Sequence, residues 1–277
     1  TYEGTLLIAA DGIHSAVRAK LYPEEGAPIW NGRILWRGIT ETDAFLSGRT
    51  MIMAGHESLK FVCYPISGES PNGKRRINWI AERYFPPEHQ WRREDYNRAA
   101  KLDEFLPWFE DWRFDWLDVP GLIRNSSQAY EYPLVDRDPI DRWTFGNVTL
   151  MGDAAHPMYP IGSNGASQAI LDARVLTREI LNHDETTAAL QAYEAERRPA
   201  TTELVKLNRR NGPEQVMQLV EERAPNGFDV VTEVMTQQEL EDVANTYKRV
   251  AGFQVEALNA KPPIVPRPET SMLSSAE

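Results

Sequence analysis

The spacing of apolar and polar positions divides the chain into two regimes. Residues 5–10 read TLLIAA, a short apolar run that predicts a buried strand near the start. From 29 to 135 the apolar runs are short and strand-like: ILWRGIT at 34–40, TMIMA at 50–54, KFVCY at 60–64 and INWIAERY at 77–84. They are rich in β-branched and aromatic residues, and turn-forming stretches such as SGESPNG at 67–73 separate them, so they predict an antiparallel sheet. Residues 92–109 predict a helix running into the aromatic cluster LPWFEDWRFDW at 106–116. After another short strand pattern at 148–151 the period turns helical: Ala166, Ala169, Ile170, Ala173, Leu176 and Ile180 fall three or four apart. A second helix is predicted over 186–198, stopped by Pro199. Two more helical segments follow Pro213, and the Pro-rich stretch 261–267 predicts an extended or loose end.

Composition narrows this picture. The 277 residues suffice for one or two domains with a full core. With 30 basic against 41 acidic residues the formal charge is −11, which argues against a nucleic-acid surface. Short basic clusters such as Lys74-Arg75-Arg76 and Arg209-Arg210 read as solvated faces. Cys63 is the one cysteine in the sequence, so no internal disulfide and no cysteine-based zinc site can form. The sequence shows no signal-peptide pattern, and no apolar run approaches the roughly 18 residues of a membrane helix. A cytoplasmic, reducing compartment with no membrane contact is the expectation.

Two stretches carry chemistry. The first, GDAAHPMYPIGSNGAS at 152–167, follows the strand at 148–151. Ligands of open α/β sheets bind outside the carboxyl ends of strands, where Gly152 and Asp153 stand. A carboxylate there accepts hydrogen bonds from sugar-type hydroxyls. Pro157 and Pro160 stiffen the loop, while Gly162 and Gly165 let its backbone approach a flat ligand. Asn164 to Ser167 form the first helical turn, whose N–H groups suit a carbonyl or an anion. The plainer reading is an ordinary capped helix with Asp153 structural. The second stretch, ADGIHSAVR at 10–18, again puts an acid and backbone donors at a strand end. His14 and Arg18 lie one helical turn apart, a cationic pair suited to a phosphate or carboxylate, or else a turn with a surface arginine.

ADGIHSAVR resembles the DG motif of single-component FAD-dependent aromatic hydroxylases (group A flavoprotein monooxygenases), and GDAAHPMYPIGSNGASQAILDA resembles their GD motif. YEAERRP at 193–199 is similar to the family's C-terminal helix. LWRGITE, YPIS, INWIAE and YPLVDRDP resemble most the 5-methylphenazine-1-carboxylate 1-monooxygenase branch. The resemblance covers roughly residues 5–210. It departs in one respect: no two glycines lie two apart, so the G-x-G-x-x-G unit that holds the FAD pyrophosphate is missing from the sequence. Such a unit is expected upstream or on another chain, or else has been lost.

The resemblance implies an α/β (α+β overall) fold, the C-terminal part of a para-hydroxybenzoate-hydroxylase-like FAD/NAD(P)-binding fold. Residues 1–25 would end the FAD-binding domain and 26–135 form an antiparallel substrate domain. Residues 136–200 would return to the FAD-binding domain, and 201–277 would be a helical segment and tail. By the same resemblance Asp153 would bond the ribityl or pyrophosphate region, with Gly152 allowing close approach. Pro160 and Gly162 would line the flavin ring, and Asn164, Gly165, Ala166 and Ser167 would address its C2 carbonyl and N1 side. Asp11 and Gly12 would support the pyrophosphate, and His14 and Arg18 the nicotinamide cofactor.

The implied reaction is hydroxylation of a planar aromatic carboxylate, with a phenazine as one instance. NADH or NADPH reduces FAD, and O2 reacts through a C4a-hydroperoxyflavin. The flavin does the chemistry, so no protein residue is assigned as catalytic, and His156 reads as structural. Trp36, Arg37, Tyr64, Trp79 and Tyr159 would line the flat substrate pocket, Arg37 answering the carboxylate; equally, the aromatics are core and Arg37 pairs with an acid. Two alternatives remain open, another flavin-superfamily oxidoreductase and an inactive or degenerate binding module. A flavin halogenase fits poorly, because the Trp-rich stretch 108–116 does not match W-x-W-x-I-P. Oligomerisation and the choice between NADH and NADPH are not legible.

Overall fold

A computed structural model describes residues 3–90, 98–260 and 263. The chain divides into two compact units, one of residues 1–29, 136–215 and 235–277, the other of residues 30–135 and 216–234.

The second unit is built on the predicted antiparallel sheet. Strands β2 (Ile29–Thr42), β3 (Ile52–Gly55), β4 (Leu59–Pro65) and β5 (Arg75–Tyr84) follow β1 (Leu7–Ala9) of the other unit. With β6 (Ala99–Ala100) and β9 (Ala129–Asp136) they form a six-stranded sheet of order β3-β4-β5-β2-β9-β6. Period-two alternation gives it two distinct faces. Ile34, Trp36, Phe61, Cys63, Ile77, Trp79 and Ala81 point into one core, closed by Phe105, Phe109 and Ile123. Trp36 stacks on Phe105 with ring centroids 4.9 Å apart. Burial pushes the Cys63 thiol up to about 12, so it is inert at neutral pH. The opposite face carries Arg37, Ile39, Asn78 and Tyr64. A small ribbon of β7 (Arg113–Phe114) and β8 (Leu117–Asp118) leads into α2 (Val119–Arg124), whose N-cap Asp118 accepts the Gly121 N–H at 3.1 Å.

Over 98–109, the described part of the expected 92–109 helix, no α-helix forms. Residues 91–97 lie outside the described residues. The remainder is strand β6 and two 3-10 turns, Leu102–Glu104 and Leu106–Phe109. Pro107 disfavours a helical conformation at Leu106, and burial of Phe105 and Phe109 in the sheet core decides the rest.

In the first unit, β1 pairs in parallel with β11 (Val148–Leu150), which pairs antiparallel with β10 (Thr144–Phe145). Helix α1 (Ala16–Leu21) follows β1; α3 (Gly165–Asn182) and α4 (Thr186–Asn208) follow β11 and pack Val175, Leu176, Leu190 and Tyr193 around Leu150 and Trp143. Pro199 does not stop α4. It lies exposed, so the Ala195 carbonyl that loses its partner is left near solvent, while Thr201, Leu204, Val205 and Asn208 are buried and hold the helix past the break. Helices α6 (Gln237–Ala251) and α7 (Val255–Asn259) follow in this unit, while α5 (Gln215–Arg223) falls in the other. A Thr236/Glu239 capping box starts α6, and Gly252 at φ 75° ends it. The stretch 261–267 lies outside the described residues except for position 263. Among the described residues no helix is long and apolar enough to cross a membrane.

Candidate active site

The parallel register sets Leu7 against Val148 and Ala9 against Leu150, so both chemical stretches leave the sheet side by side from the same carboxyl edge. After β1, Asp11 turns back to cap α1, its Oδ2 accepting the Ala16 N–H at 2.8 Å. Burial would raise the Asp11 carboxyl, but hydrogen bonds from Ser15 and the helix N–H groups outweigh it and lower it below 3.8. Gly12 holds φ 80°, with open space where a side chain would stand. His14 is exposed and borders a hollow of about 180 Å³ together with Tyr22, Glu25 and Arg137.

Arg18 departs from the expectation of a ligand-binding cation. It is buried, and its guanidinium donates to the carbonyls of Ala154 (3.1 Å), Ala155 (2.9 Å) and Asp138 (3.0 Å) while pairing with Glu25. Its donors are therefore taken up inside the protein, and they tie the first stretch to the second.

After β11, Gly152 takes φ 60° and donates its N–H to Asp172 Oδ2 at 3.0 Å. Asp172 is fully buried and also receives His156 Nε2 and, at 2.7 Å, Arg197 Nε. Burial pushes the Asp172 carboxyl up, but the His156 and Arg197 contacts prevail and lower it below 3.8. His156 is thus a buried structural group. Arg197 continues to Gln168 Oε1 (2.6 Å), and Gln168 Nε2 reaches Asn164 Oδ1 (3.1 Å) and the Ala251 carbonyl (3.2 Å). The Asn164 side chain is fully buried and makes no capping bond, so it orders the loop and does not face a ligand. Gly162 is half-buried at φ 74°, where a Cβ would fall 2.0 Å from the Tyr247 hydroxyl. Its missing side chain serves the approach of α6. Pro160 and Ala166 are exposed, and Gly165 and Ser167 half-buried.

Asp153 stands apart from this network. Its side chain reaches solvent, and among the described residues it has neither a hydrogen-bond donor nor a paired cation. Surrounding protein nevertheless strips water from it and raises its carboxyl above 3.8, opposed by His156.

In the second unit the pairing Trp36↔Ala81 and Arg37↔Ile80 puts Trp36 and Arg37 on opposite faces of the sheet, so they cannot line one pocket. Trp79 is fully buried across Gly38, its Nε1 donating to Thr40 Oγ1 at 3.1 Å, and belongs to the core. Trp36 borders a hollow of about 250 Å³ on the core side with Phe85, Trp108 and Glu131. Tyr159, in the first unit, is buried with its hydroxyl donating to the Ile29 carbonyl at 3.4 Å. Tyr64 sits opposite Asn78 in register and shares its face. On that face Arg37, Ile39, Asn78, Gln128, Tyr130 and Tyr132 enclose a hollow of about 410 Å³. The alternation Tyr130-Glu131-Tyr132 was the signal in the sequence for two rings on one face; Asn78 had none.

Residues 122–208 match the FAD binding domain family. Over 212 residues the chain is 48% identical to phenazine 1,6-dicarboxylic acid hydroxylase PhzS of Lysobacter antibioticus, covering 76% of this chain and 52% of that protein. It is 33% identical over 198 residues to the aurachin C monooxygenase/isomerase of Stigmatella aurantiaca, covering 71% and 48%. Residues 122–208 thus match an FAD binding domain, and the chain is similar to FAD-dependent aromatic hydroxylases. It spans about half the length of the curated relatives it matches. The hydroxylase fold recurs in a salicylate hydroxylase substrate complex, with a TM-score of 0.64 at 23% identity over 90% of this chain and 64% of that one. The residues present fit an FAD on one structural ground. Asp153 is an exposed carboxylate with no hydrogen-bond donor or paired cation among the described residues, on the Gly152–Ala154 turn that packs against α3 through Gly152 and Asp172.

Proposed function

We propose that this protein is an FAD-dependent monooxygenase that hydroxylates a planar aromatic carboxylate using NADH or NADPH and O2. Bound FAD supplies the chemistry that no side chain here provides, accepting reducing equivalents from the nicotinamide and activating O2 to deliver one oxygen atom to the ring. Asp153 and Gly152 hold its sugar-phosphate chain, and Asp11 and Gly12 support the pyrophosphate. Pro160, Gly162 and the N–H groups of Gly165, Ala166 and Ser167 form the ring's seat. His14 meets the nicotinamide cofactor. Arg37 receives the substrate carboxylate in the hollow it lines with Tyr130 and Tyr132. The name of the 48% identical relative, a phenazine 1,6-dicarboxylic acid hydroxylase, supports a multi-ring acid.

The unpartnered Asp153 carboxylate at the carboxyl edge of β11, on the turn that leads toward α3, carries this reading. The test is NAD(P)H oxidation and oxygen uptake by the complete, FAD-loaded protein with aromatic acids, with hydroxylated product identified by mass. Retained FAD without hydroxylated product would mark another flavin oxidoreductase, and no retained FAD a degenerate module.

A further inference from the structure

Asn78 is only 6% exposed, yet it is half satisfied. Its Oδ1 accepts from Arg37 Nη2 at 3.4 Å, while its Nδ2 is buried without an acceptor. The orientation is fixed by chemistry: a guanidinium only donates, so the amide oxygen must face Arg37 and the amide nitrogen must face away. Buried donors left without an acceptor are rare in folded proteins and call for an explanation. Asn78 lines the 410 Å³ hollow, within the size range of small-ligand sites, together with Arg37, Tyr130 and Tyr132, its Nδ2 lying just beneath the surface.

We propose that Asn78 Nδ2 is a specificity-determining donor of this hollow, taking an acceptor on the substrate's ring beside the carboxylate held by Arg37. The site then selects heteroaromatic acids over carbocyclic ones. This rests on the reading of the hollow as a hydroxylase substrate site. Ile39 pairs with Asn78 and Arg37 with Ile80, so the two side chains are diagonal neighbours on adjacent strands of one face. A fork-to-fork arginine–carboxylate pair uses both carboxylate oxygens. The neutral Asn78 donor is left for a separate, neutral acceptor, such as a ring nitrogen or ring carbonyl. The Arg37 guanidinium lies 5.9 Å from the Tyr132 ring centroid, so cation, neutral donor and aromatic wall converge on one planar ligand.

The test measures dissociation constants in the complete FAD-loaded protein for phenazine-1-carboxylate and its carbocyclic isostere anthracene-1-carboxylate, by flavin difference spectra or calorimetry. The native protein is expected to prefer the phenazine by about tenfold or more, because a site built around a hydrogen bond rejects the analogue lacking it. Asn78→Leu removes the donor, and Asn78→Asp removes it while keeping an acceptor for Arg37; both are expected to collapse the ratio toward one, with melting temperature as the control for folding. A ratio that persists in both variants, or equal affinities in the native protein, overturns the proposal. NAD(P)H oxidation supported by either acid would leave the hydroxylase reading standing in that event. Neither binding nor turnover with any aromatic acid would remove both.

Discussion

At the scale of single residues, two aspartates nineteen positions apart behave in opposite ways. Asp153 is exposed and unpartnered, so the fold does not need it. Asp153→Ala is expected to leave thermal stability within about 0.5 kcal/mol. FAD affinity of the complete protein should fall roughly tenfold to a hundredfold, the worth of a charge-assisted hydrogen bond. Unchanged affinity in a flavin titration would take Asp153 out of the site. Asp172 is buried and receives Gly152, His156 and Arg197. Asp172→Asn is expected to cost about 3–5 kcal/mol in urea unfolding, because it leaves the Arg197 charge buried without a counter-ion. The pH dependence has a definite sign. The folded carboxyl lies below its ordinary 3.8, so its stabilisation is complete above that value and is lost as pH falls through the lower folded one. Acid unfolding below about pH 4 should therefore show a step in the native chain that Asp172→Asn lacks.

At the scale of elements, α6 and the 161–163 loop fit one another through Tyr247 and Gly162. Gly162→Ala sets a methyl 2.0 Å from the Tyr247 hydroxyl at φ 74°, and should cost about 1–3 kcal/mol. In a double-mutant cycle with Tyr247→Ala the clash disappears while the backbone strain remains, so a coupling of about 1 kcal/mol or more is expected. Additive costs would mean that the loop moves freely away from α6. This pairing joins positions far apart in the chain, and no local pattern reports it. Strands β2 to β5 were legible because each alternates against one core. Helix α3 was legible because its apolar positions repeat at three and four. The 92–109 region and Pro199 were misread for a common reason: tertiary burial, of Phe105 and Phe109 in one case and of Leu204 and Val205 in the other, overrode local propensity. The site was legible as two loops, since glycine and acid at a strand end have a local rationale. Which side chains face a ligand was not, because Arg18, Asn164 and Trp79 find their partners through long-range contacts.

At the scale of the whole molecule, apolar exposure and net charge act against each other. Among the described residues β1 is an edge strand, with Leu7 49% and Ile8 38% exposed, and α3 leaves Ile170 62% and Leu181 64% exposed. Single exposed apolar residues are ordinary, but an uncovered strand edge also offers unpaired N–H and C=O groups to another chain. The net charge of −11 opposes that contact through repulsion between copies. Its reach is about 30 Å at 0.01 M salt and about 3 Å at 1 M, whereas apolar attraction is not screened. This chain, produced by itself, is therefore expected to sediment as a monomer at low salt and to associate as salt rises. Leu7→Lys, which places a charge on the open edge, should shift that onset to higher salt. A chain that stays monomeric across the whole salt range, or a Leu7→Lys variant that associates at the same salt, would show that this edge and face do not drive association.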